Sequence, residues 1–511
     1  MAASSSIRDI PWLIWVVSIF GSLPSAGFGF DQGWWASIMS TRQFASRFGY
    51  YNHSKGTWEL SEQQQSLGTG LGYAGVLLGL LCATPMNERL GRKNSLCIQS
   101  AVVGVGVIIE STCKTSYAQF LVGKIIAYFG GGIASNVIPV YQGECAPQAL
   151  RGVMAGTYNA FLMVGGLVAA LIVYLCRHIT GDWAWRVVVV AQIAIPIINW
   201  LSLPTLPESP YWLMQRGRLD EAAASLSRLR AIPLPEAKVK IACLRQLNQL
   251  QKEQQPHDQS SSSWSACFTN RINLRRTIIV VGAQVFQQAM GISFVANYQA
   301  VFLQQIGFRQ VLLMSVVVYV IGIVGNITGV AVTDRLGRRP LLLFSAALLS
   351  ACMLTIGGLT AKPTGDYGMQ VGAVVMLMLW FFTFQNTWGP LTWVLTAEVP
   401  PAGAVREKMV TLSGFAAYGT GLVIVFVNPY TQAAIGGSVA FIYGGLSAVA
   451  AGFVWFFVPE LKQRSLEEID EMFAEGVSAR AFGKYQCQTA MVGEGLAGKQ
   501  GSVEAECIEI L

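Results

Sequence analysis

Charge is what this chain has least of. Lysine, arginine, aspartate and glutamate together make up 12% of its 511 residues, about half the share of an ordinary soluble domain. A water-soluble fold of this length could not cover its surface with so few ions. Histidine occurs three times, and the ten cysteines are scattered singly with no CxxC pair. Neither a metal site nor a disulfide framework is therefore indicated, and the cysteines read as small helix-packing residues. The first ten residues hold no charged n-region followed by a small-residue cleavage site. The N-terminus is expected to be retained, with Pro11 at the edge of the first apolar segment. No nucleophile–base pair, acid–base pair or cofactor motif stands out, so an enzyme is not expected, nor a cofactor.

What is abundant is apolar surface: 53% of the residues are hydrophobic and the mean hydropathy is +0.46. Windows of about 20 apolar residues, long enough to cross a bilayer, recur along the chain. Twelve of them begin near Pro11, Ser66, Asn94, Tyr117, Val153, Ala184, Thr277, Gln310, Pro340, Met369, Met409 and Gly437. No water inside the hydrocarbon satisfies backbone groups, so these spans are expected to be helices. The fold class is an all-α membrane protein whose first partner is the lipid bilayer. The formal charge of +7 falls in short clusters between spans, which membrane topology explains better than nucleic-acid binding.

Internal repetition organises the chain. ERLGRK (Glu88–Lys93) recurs as DRLGRR (Asp334–Arg339), ECAPQALR (Glu144–Arg151) as EVPPAGAVR (Glu398–Arg406), and PESPYWL (Pro207–Leu213) as PELKQRSLEEIDEMF (Pro459–Phe473). The members of each pair lie about 250 residues apart. The chain thus divides into an N-terminus (1–10), a six-span bundle (11–205), a linker with short amphipathic helices (206–276), a second six-span bundle (277–458) and a tail (459–511). Twofold repeats of this kind build many transporters, with the substrate site near the midplane between halves.

An even number of spans separates the two RLGR loops and the linker, so all three share one side. That side carries Arg89, Arg92, Lys93, Arg335, Arg338, Arg339, Arg406 and Lys408, and eleven further bases in the linker. The positive-inside rule makes it cytoplasmic, along with both termini. The sequon Asn52-His53-Ser54 then falls in the long first external loop, where Asn52 is a glycosylation candidate.

Taken together, these landmarks resemble the sugar porter family of the major facilitator superfamily in its fungal form. The resemblance covers about residues 10–475. Its motifs are GFDQG in span 1, NERLGRK after span 2, PVYQGECAPQALRG after span 4, PESPYWL after span 6, FQQAMG in span 7, TDRLGRR after span 8, GPLTWVLTAEVPPAGAVR in span 10 and PELKQRSLEEIDEMF after span 12. The fold it implies is two six-helix bundles around a central cavity, acting as a monomer in the plasma membrane.

Two groups of charges acquire roles. In each RLGR loop, acid and bases sit on a tight turn at Gly91 or Gly337, within reach of acids on a neighbouring helix end. Glu88, Arg89, Arg92, Glu144 and Arg151 form one such set, and Asp334, Arg335, Arg338, Glu398 and Arg406 the other. Glu144 with Arg151 and Glu398 with Arg406 are the expected partners, closing the cytoplasmic ends of the helices in the outward-facing state. The second group is intramembrane. Asp31 in GFGFDQGWW and Lys124 in FLVGKIIAYFGGG stand inside spans 1 and 4, where ionisable groups are costly. The resemblance implies that an acid at position 31 marks proton-coupled members. At position 124 the family usually has arginine, so Lys124 keeps the charge but loses the bidentate fork. Burial penalises the charged form of an acid and a nearby cation favours it, so the two would poise Asp31 between protonation states. A static ion pair tying two spans together is the alternative.

Sugar recognition needs amides and hydroxyls for the substrate OH groups and an aromatic face for its C–H surface. The resemblance implies Asn159, Gln287, Gln288, Ser293, Asn297, Asn326 and Trp393. Several depart from the family: glutamine is usual at 159, asparagine at 293, tyrosine at 297, and Gly322 stands where asparagine is common. TYNAFLMVGG and GISFVANYQAVFL look more similar to fungal α-glucoside and oligosaccharide permeases. The glycines of GGGIAS, GGLVAA and GNITG read as close helix packing. The expected function is proton-coupled symport of a mono- or oligosaccharide or a polyol. Alternatives are an uncoupled facilitator, a carrier of quinate or other hydroxylated compounds, and a non-transporting nutrient sensor, which the short segment after Phe473 disfavours.

Overall fold

The structure, a computed structural model, describes residues 11–53, 56–147, 151–254, 264–361, 366–401, 404–462, 464, 466–485 and 487. The N-terminus, Ser54, most of the QQPHDQSSSS tract and residues 488–511 lie outside the described residues.

Each apolar window is helical, as a backbone without water requires. Span 1 is Trp12–Ile38, span 2 Glu62–Leu90, span 3 Arg92–Ser111, span 4 Tyr117–Cys145 and span 5 Arg151–Cys176. Span 6 comes in two pieces, Trp183–Ala191 and Ala194–Ser202. Span 7 runs from Arg271–Gln287 through a π turn, Gln288–Ile292, into Ser293–Gln305. Span 8 is Val311–Leu336, span 9 Arg338–Thr360, span 10 Tyr367–Asn386 with Trp388–Glu398, span 11 Ala404–Ile435 and span 12 Val439–Phe457. Among the described residues, 11 helical stretches are long and apolar enough to cross a membrane. The last, Val405–Phe457, contains two passes. It reverses at the 3-10 turn Gly436–Ser438, so that the Tyr443 hydroxyl donates to Asn428 Oδ1 at 2.9 Å. Span 7 begins at Arg271 rather than Thr277, because Asn270 Oδ1 accepts the Ile272 N–H at 2.9 Å and caps the helix there.

The molecule turns apolar side chains outward as well as inward. Leu81, Val105, Leu175, Leu201, Ile327, Phe344 and Phe456 are exposed along the spans, a surface that only lipid solvates favourably. In the first bundle, span 4 packs on spans 2 and 3 and span 1 on span 5; in the second, span 9 packs on spans 10 and 12 and span 7 on span 11. The bundles meet where span 2 lies on span 11, span 5 on span 8 and span 1 on span 7.

Glycines set the closest approaches. Gly29 rests on the Leu162 carbonyl, and a Cβ on Gly33 would come within 2.7 Å of Gly166 Cα. Gly132, Gly325 and Gly329 likewise abut backbone atoms of neighbouring spans, as expected of the three glycine clusters.

All loops bearing the RLGR motifs emerge at one end, the basic end, together with the linker helices Pro210–Gln215, Leu219–Arg230 and Leu234–Gln254. Trp212, Leu213 and Met214 pack with Ala222, Ala223, Leu226, Ala237 and Ile241 into a small separate core. At the far end, the helix Arg42–Phe48 and a hairpin pairing β1 (Tyr50–Asn52) with β2 (Thr57–Glu59) cover the mouth of the first bundle. Asn52 lies on that hairpin.

Candidate transport site

Asp31 and Lys124 meet inside the first bundle. Lys124 Nζ donates to Asp31 Oδ1 at 3.2 Å, and the two residues are 1% and 2% exposed. The other carboxylate oxygen, Oδ2, accepts from Gln192 Nε2 at 3.2 Å, and Gln192 Oε1 accepts from Trp34 Nε1 at 3.2 Å. The ammonium stands over three rings: Trp35 at 4.4 Å, Tyr128 at 4.6 Å and Trp34 at 4.9 Å from their centroids. A desolvated cation on ring faces gains about 2 kcal/mol or more. Lysine rather than arginine suits this enclosure, since a compact ammonium addresses three faces and a carboxylate at once.

Helical spacing builds the site. Trp34 and Trp35 follow Asp31 by three and four residues, so all three share one face of span 1. Phe44, Phe48, Phe120 and Trp185 stack around Trp35 and close the far side. Gln192 sits at the break in span 6, three residues after Val189, whose carbonyl accepts its N–H at 3.2 Å. Pro196 lacks the N–H that would continue the ladder to Gln192. A small cavity runs from Asp31 toward the basic end, lined by Gln192, Gln99, Ser100 and Asn199. Gln192 and the aromatic enclosure were not evident from the sequence. The Trp34–Trp35 spacing carried a signal, whereas a lone glutamine in WAWRVVVVAQIAIP did not.

A second polar chain crosses between the bundles at the π turn. Gln287 Nε2 donates to the Trp388 and Gly389 carbonyls at 3.2 and 3.1 Å and to Thr392 Oγ1 at 2.6 Å. Gln288 Nε2 donates to Gln287 Oε1 at 3.3 Å, and Ser293 Oγ donates to Gln288 Oε1 at 2.7 Å. Asn297 Nδ2 donates to the Ser293 carbonyl at 2.8 Å and to the hydroxyl of Tyr73, in span 2, at 3.1 Å. Asn297 Oδ1 is buried without a partner. Gly291, at φ 110°, allows the kink that brings these groups together; π turns of this kind are frequent at functional sites. Four of the seven expected substrate residues thus form one connected set, joined by Tyr73. Asn159, half-buried in span 5, and Asn326, buried in span 8, lie apart from it. The ring of Trp393 is 44% exposed and takes no part in the chain, while Trp388 on the same helix is fully buried.

At the basic end the RLGR bases pair with acids at the ends of spans 4 and 10. Arg92 Nη2 pairs with Glu144 Oε1 at 2.7 Å and Arg338 Nη2 with Glu398 Oε1 at 3.2 Å. The Arg406 guanidinium donates to the Ala397 carbonyl at 2.6 Å. The side chains of Arg151 and Asp334 lie outside the described residues. Glu88, Arg89 and Arg335 are exposed, whereas Arg92 and Arg338, the first residues of spans 3 and 9 after the Gly91 and Gly337 turns, point inward. Glu88 and Arg335 engage through their carbonyls, which accept from Trp212 Nε1 and Lys462 Nζ at 2.9 and 2.7 Å.

The acids of the PES and PEL motifs, Glu208 and Glu460, also hold the RLGR loops. Glu208 Oε1 accepts the Arg92 and Lys93 N–H groups at 3.1 and 3.2 Å, capping span 3, and Glu460 does the same for Arg338 and Arg339 at 3.1 Å each, capping span 9. Burial pushes the Glu208 carboxyl up, opposed by the N–H groups of Ser209, Lys93 and Arg92 and by the Arg92 charge.

Two six-helix bundles, a buried acid–base pair in one and a polar chain bridging both define a membrane transporter of the major facilitator fold. The chain belongs to the sugar (and other) transporter family, whose pattern it matches over residues 17–473. It is 28% identical to the major facilitator-type transporter ecdD of Aspergillus rugulosus, over 94% of this chain and 91% of that protein. It is 29% identical to the probable glucose transporter rco-3 of Neurospora crassa, over 90% of this chain and 79% of that one. Among solved structures, the inward open conformation of the xylose transporter XylE from E. coli superposes with a TM-score of 0.73 at 23% identity, covering 89% of this chain and 99% of that one. The protein is a membrane-spanning carrier and not an enzyme.

Proposed function

We propose that the protein is a proton-coupled symporter of a sugar or polyol in the plasma membrane, with the basic end and both termini in the cytoplasm and Asn52 on the outer, glycosylated side. The observation that carries this reading is the Asp31–Lys124 pair, sealed from solvent at 3.2 Å among aromatic rings. An ion pair so enclosed would act as a switch, because protonating Asp31 removes the partner that holds Lys124 and frees the ammonium to move. In this reading the small cavity beside Asp31, lined in part by Gln99, Ser100 and Asn199, would offer the proton polar partners on its way toward the cytoplasm.

The substrate would bind at the π turn of span 7, where Gln287, Gln288, Ser293 and Asn297 supply donors and acceptors between the bundles. Carriers of this fold rock one bundle against the other around such a site. The Arg92–Glu144 and Arg338–Glu398 clusters stiffen the cytoplasmic rims on which the inner gate works. Names among relatives and neighbours agree with a sugar cargo: a galactose transporter of Saccharomyces cerevisiae and a proton:xylose symporter.

Radiolabelled uptake of a sugar panel in transporter-null yeast, with and without a protonophore, tests the reading. Asp31→Asn is expected to remain folded and to exchange sugar across the membrane while losing accumulation. A wild-type protein that ignores the protonophore and never exceeds equilibrium would sink the symport claim.

A further inference from the structure

A second acid lies beside the pair and has no role in the mechanism above. Glu110, one residue from the end of span 3, is 0% exposed. Among the described residues, neither of its carboxylate oxygens has a hydrogen-bond partner. Its backbone and Cγ press on span 4 at Gly123, where an added Cβ would come within 2.8 Å of Glu110 N and 2.7 Å of Glu110 Cγ. Gly123 immediately precedes Lys124, and the Glu110 carboxyl is close enough to interact electrostatically with both Lys124 and Asp31.

The two acids are treated differently by their surroundings. Asp31 has a cation and an amide donor, so its anion is satisfied. Glu110 has no donor at all, and an isolated carboxylate anion in such a place is prohibitively costly. Two acids and one base can stay neutral overall only if one proton resides on the acids. The other titratable groups around Glu110, among the described residues, are Tyr128 of span 4 and Cys113, whose N–H donates to the Glu110 carbonyl at 3.3 Å. At the mouth, Arg186 of span 6 is held by Asp182 and the Cys113 carbonyl, and Arg47 by Asp182.

We propose that Glu110 is a second proton site of the carrier: it holds the proton while Asp31 is paired with Lys124, and takes over Lys124 when the proton passes to Asp31. In that exchange the Glu110 O–H bond breaks, an O–H bond forms on Asp31, and Lys124 moves its ammonium from one carboxylate to the other. The net charge of the three groups stays zero throughout, so the switch exposes no unpaired ion to the bilayer interior. This inference rests on the proton-coupled reading.

The test compares wild type, Glu110→Gln, Asp31→Asn and the double variant, measuring accumulation, sugar counterflow, pH profile and stability in detergent. Glu110→Gln, a permanent mimic of the neutral acid, is expected to fold and to support counterflow. Its accumulation should fall at least tenfold, with an altered pH profile. Asp31→Asn should remain monodisperse because Glu110 takes over Lys124, whereas the double variant should lose folded protein by far more than the two single losses combined. A protonophore-sensitive wild type whose pH profile and accumulation are matched by Glu110→Gln overturns the second site alone. Wild-type uptake that ignores the protonophore overturns the coupled reading, and this one with it.

Discussion

The Glu208 carboxylate occupies the space that a side chain on Gly91 would fill: a Cβ there would stand 2.6 Å from Glu208 Oε2. Gly91 also has φ 90°, a backbone region L-residues avoid. Two constraints therefore fall on one residue. Gly91→Ala is expected to destabilise the protein by about 1–3 kcal/mol. Gly104→Ala, in the same bundle with open space around it, should leave stability nearly unchanged. Melting of the purified protein in detergent, followed for both variants, checks the contrast.

Glu208 should also make stability depend on pH. Burial raises its carboxyl above the ordinary value, so in the interval between the two values the folded state binds more protons than the unfolded one. Stability then falls as pH rises through that interval, and the gain is complete below the ordinary carboxylate value. The melting temperature of wild type is expected to climb, relative to Glu208→Gln, as pH is lowered toward the ordinary carboxylate range. Matching slopes for the two proteins would rule out this contribution.

Lys124 has to be compact as well as charged. Lys124→Arg keeps the charge but crowds Trp34, Trp35 and Tyr128, and should cost about 1–3 kcal/mol. Lys124→Met leaves Asp31 buried with only Gln192 as donor, a loss of about 3–5 kcal/mol. Adding Asp31→Asn to Lys124→Met should restore part of that loss. Detergent melting curves of the four proteins order these effects.

Within the polar chain of span 7, Gln287 is committed to span 10 while Gln288 and Ser293 bond mainly to each other. Gln288→Ala is expected to raise the uptake KM about tenfold, equivalent to about 1.4 kcal/mol. Gln287→Ala, which frees the Trp388 and Gly389 carbonyls, should instead lower the maximal rate and the thermal stability together. Uptake kinetics on quantified membrane protein separate the two.

Much of the architecture could be read from residues alone. Spans announce themselves through hydropathy, and the repeated RLGR, ECAPQALR and PESPYWL segments reveal two halves, because a bilayer imposes length and composition directly. Asp31 and Lys124 were visible because ions inside a span have no innocent explanation. Glu110 was not, since an acid in IIESTCK at the end of a span reads as a solvated one, and only the fold buries it against Gly123 of span 4. Gln192 and Tyr73 were equally hidden, being polar side chains whose partners are more than 150 residues away in the chain. At the basic end the pairing of RLGR bases with the acids of ECAPQALR and EVPPAGAVR was legible from the repeats, and the structure joins Arg92 to Glu144 and Arg338 to Glu398.

Among the described residues, the carboxylate clamps on the RLGR loops stay within one half of the chain each. Arg92 is held by Glu144 and by Glu208, just after span 6, and Arg338 by Glu398 and by Glu460, just after span 12. Rotation of one bundle against the other leaves all of these bonds intact. Each rim is therefore stiff, and in the proposed carrier cycle a small change at the buried pair would be carried to the mouth instead of being absorbed by the loops.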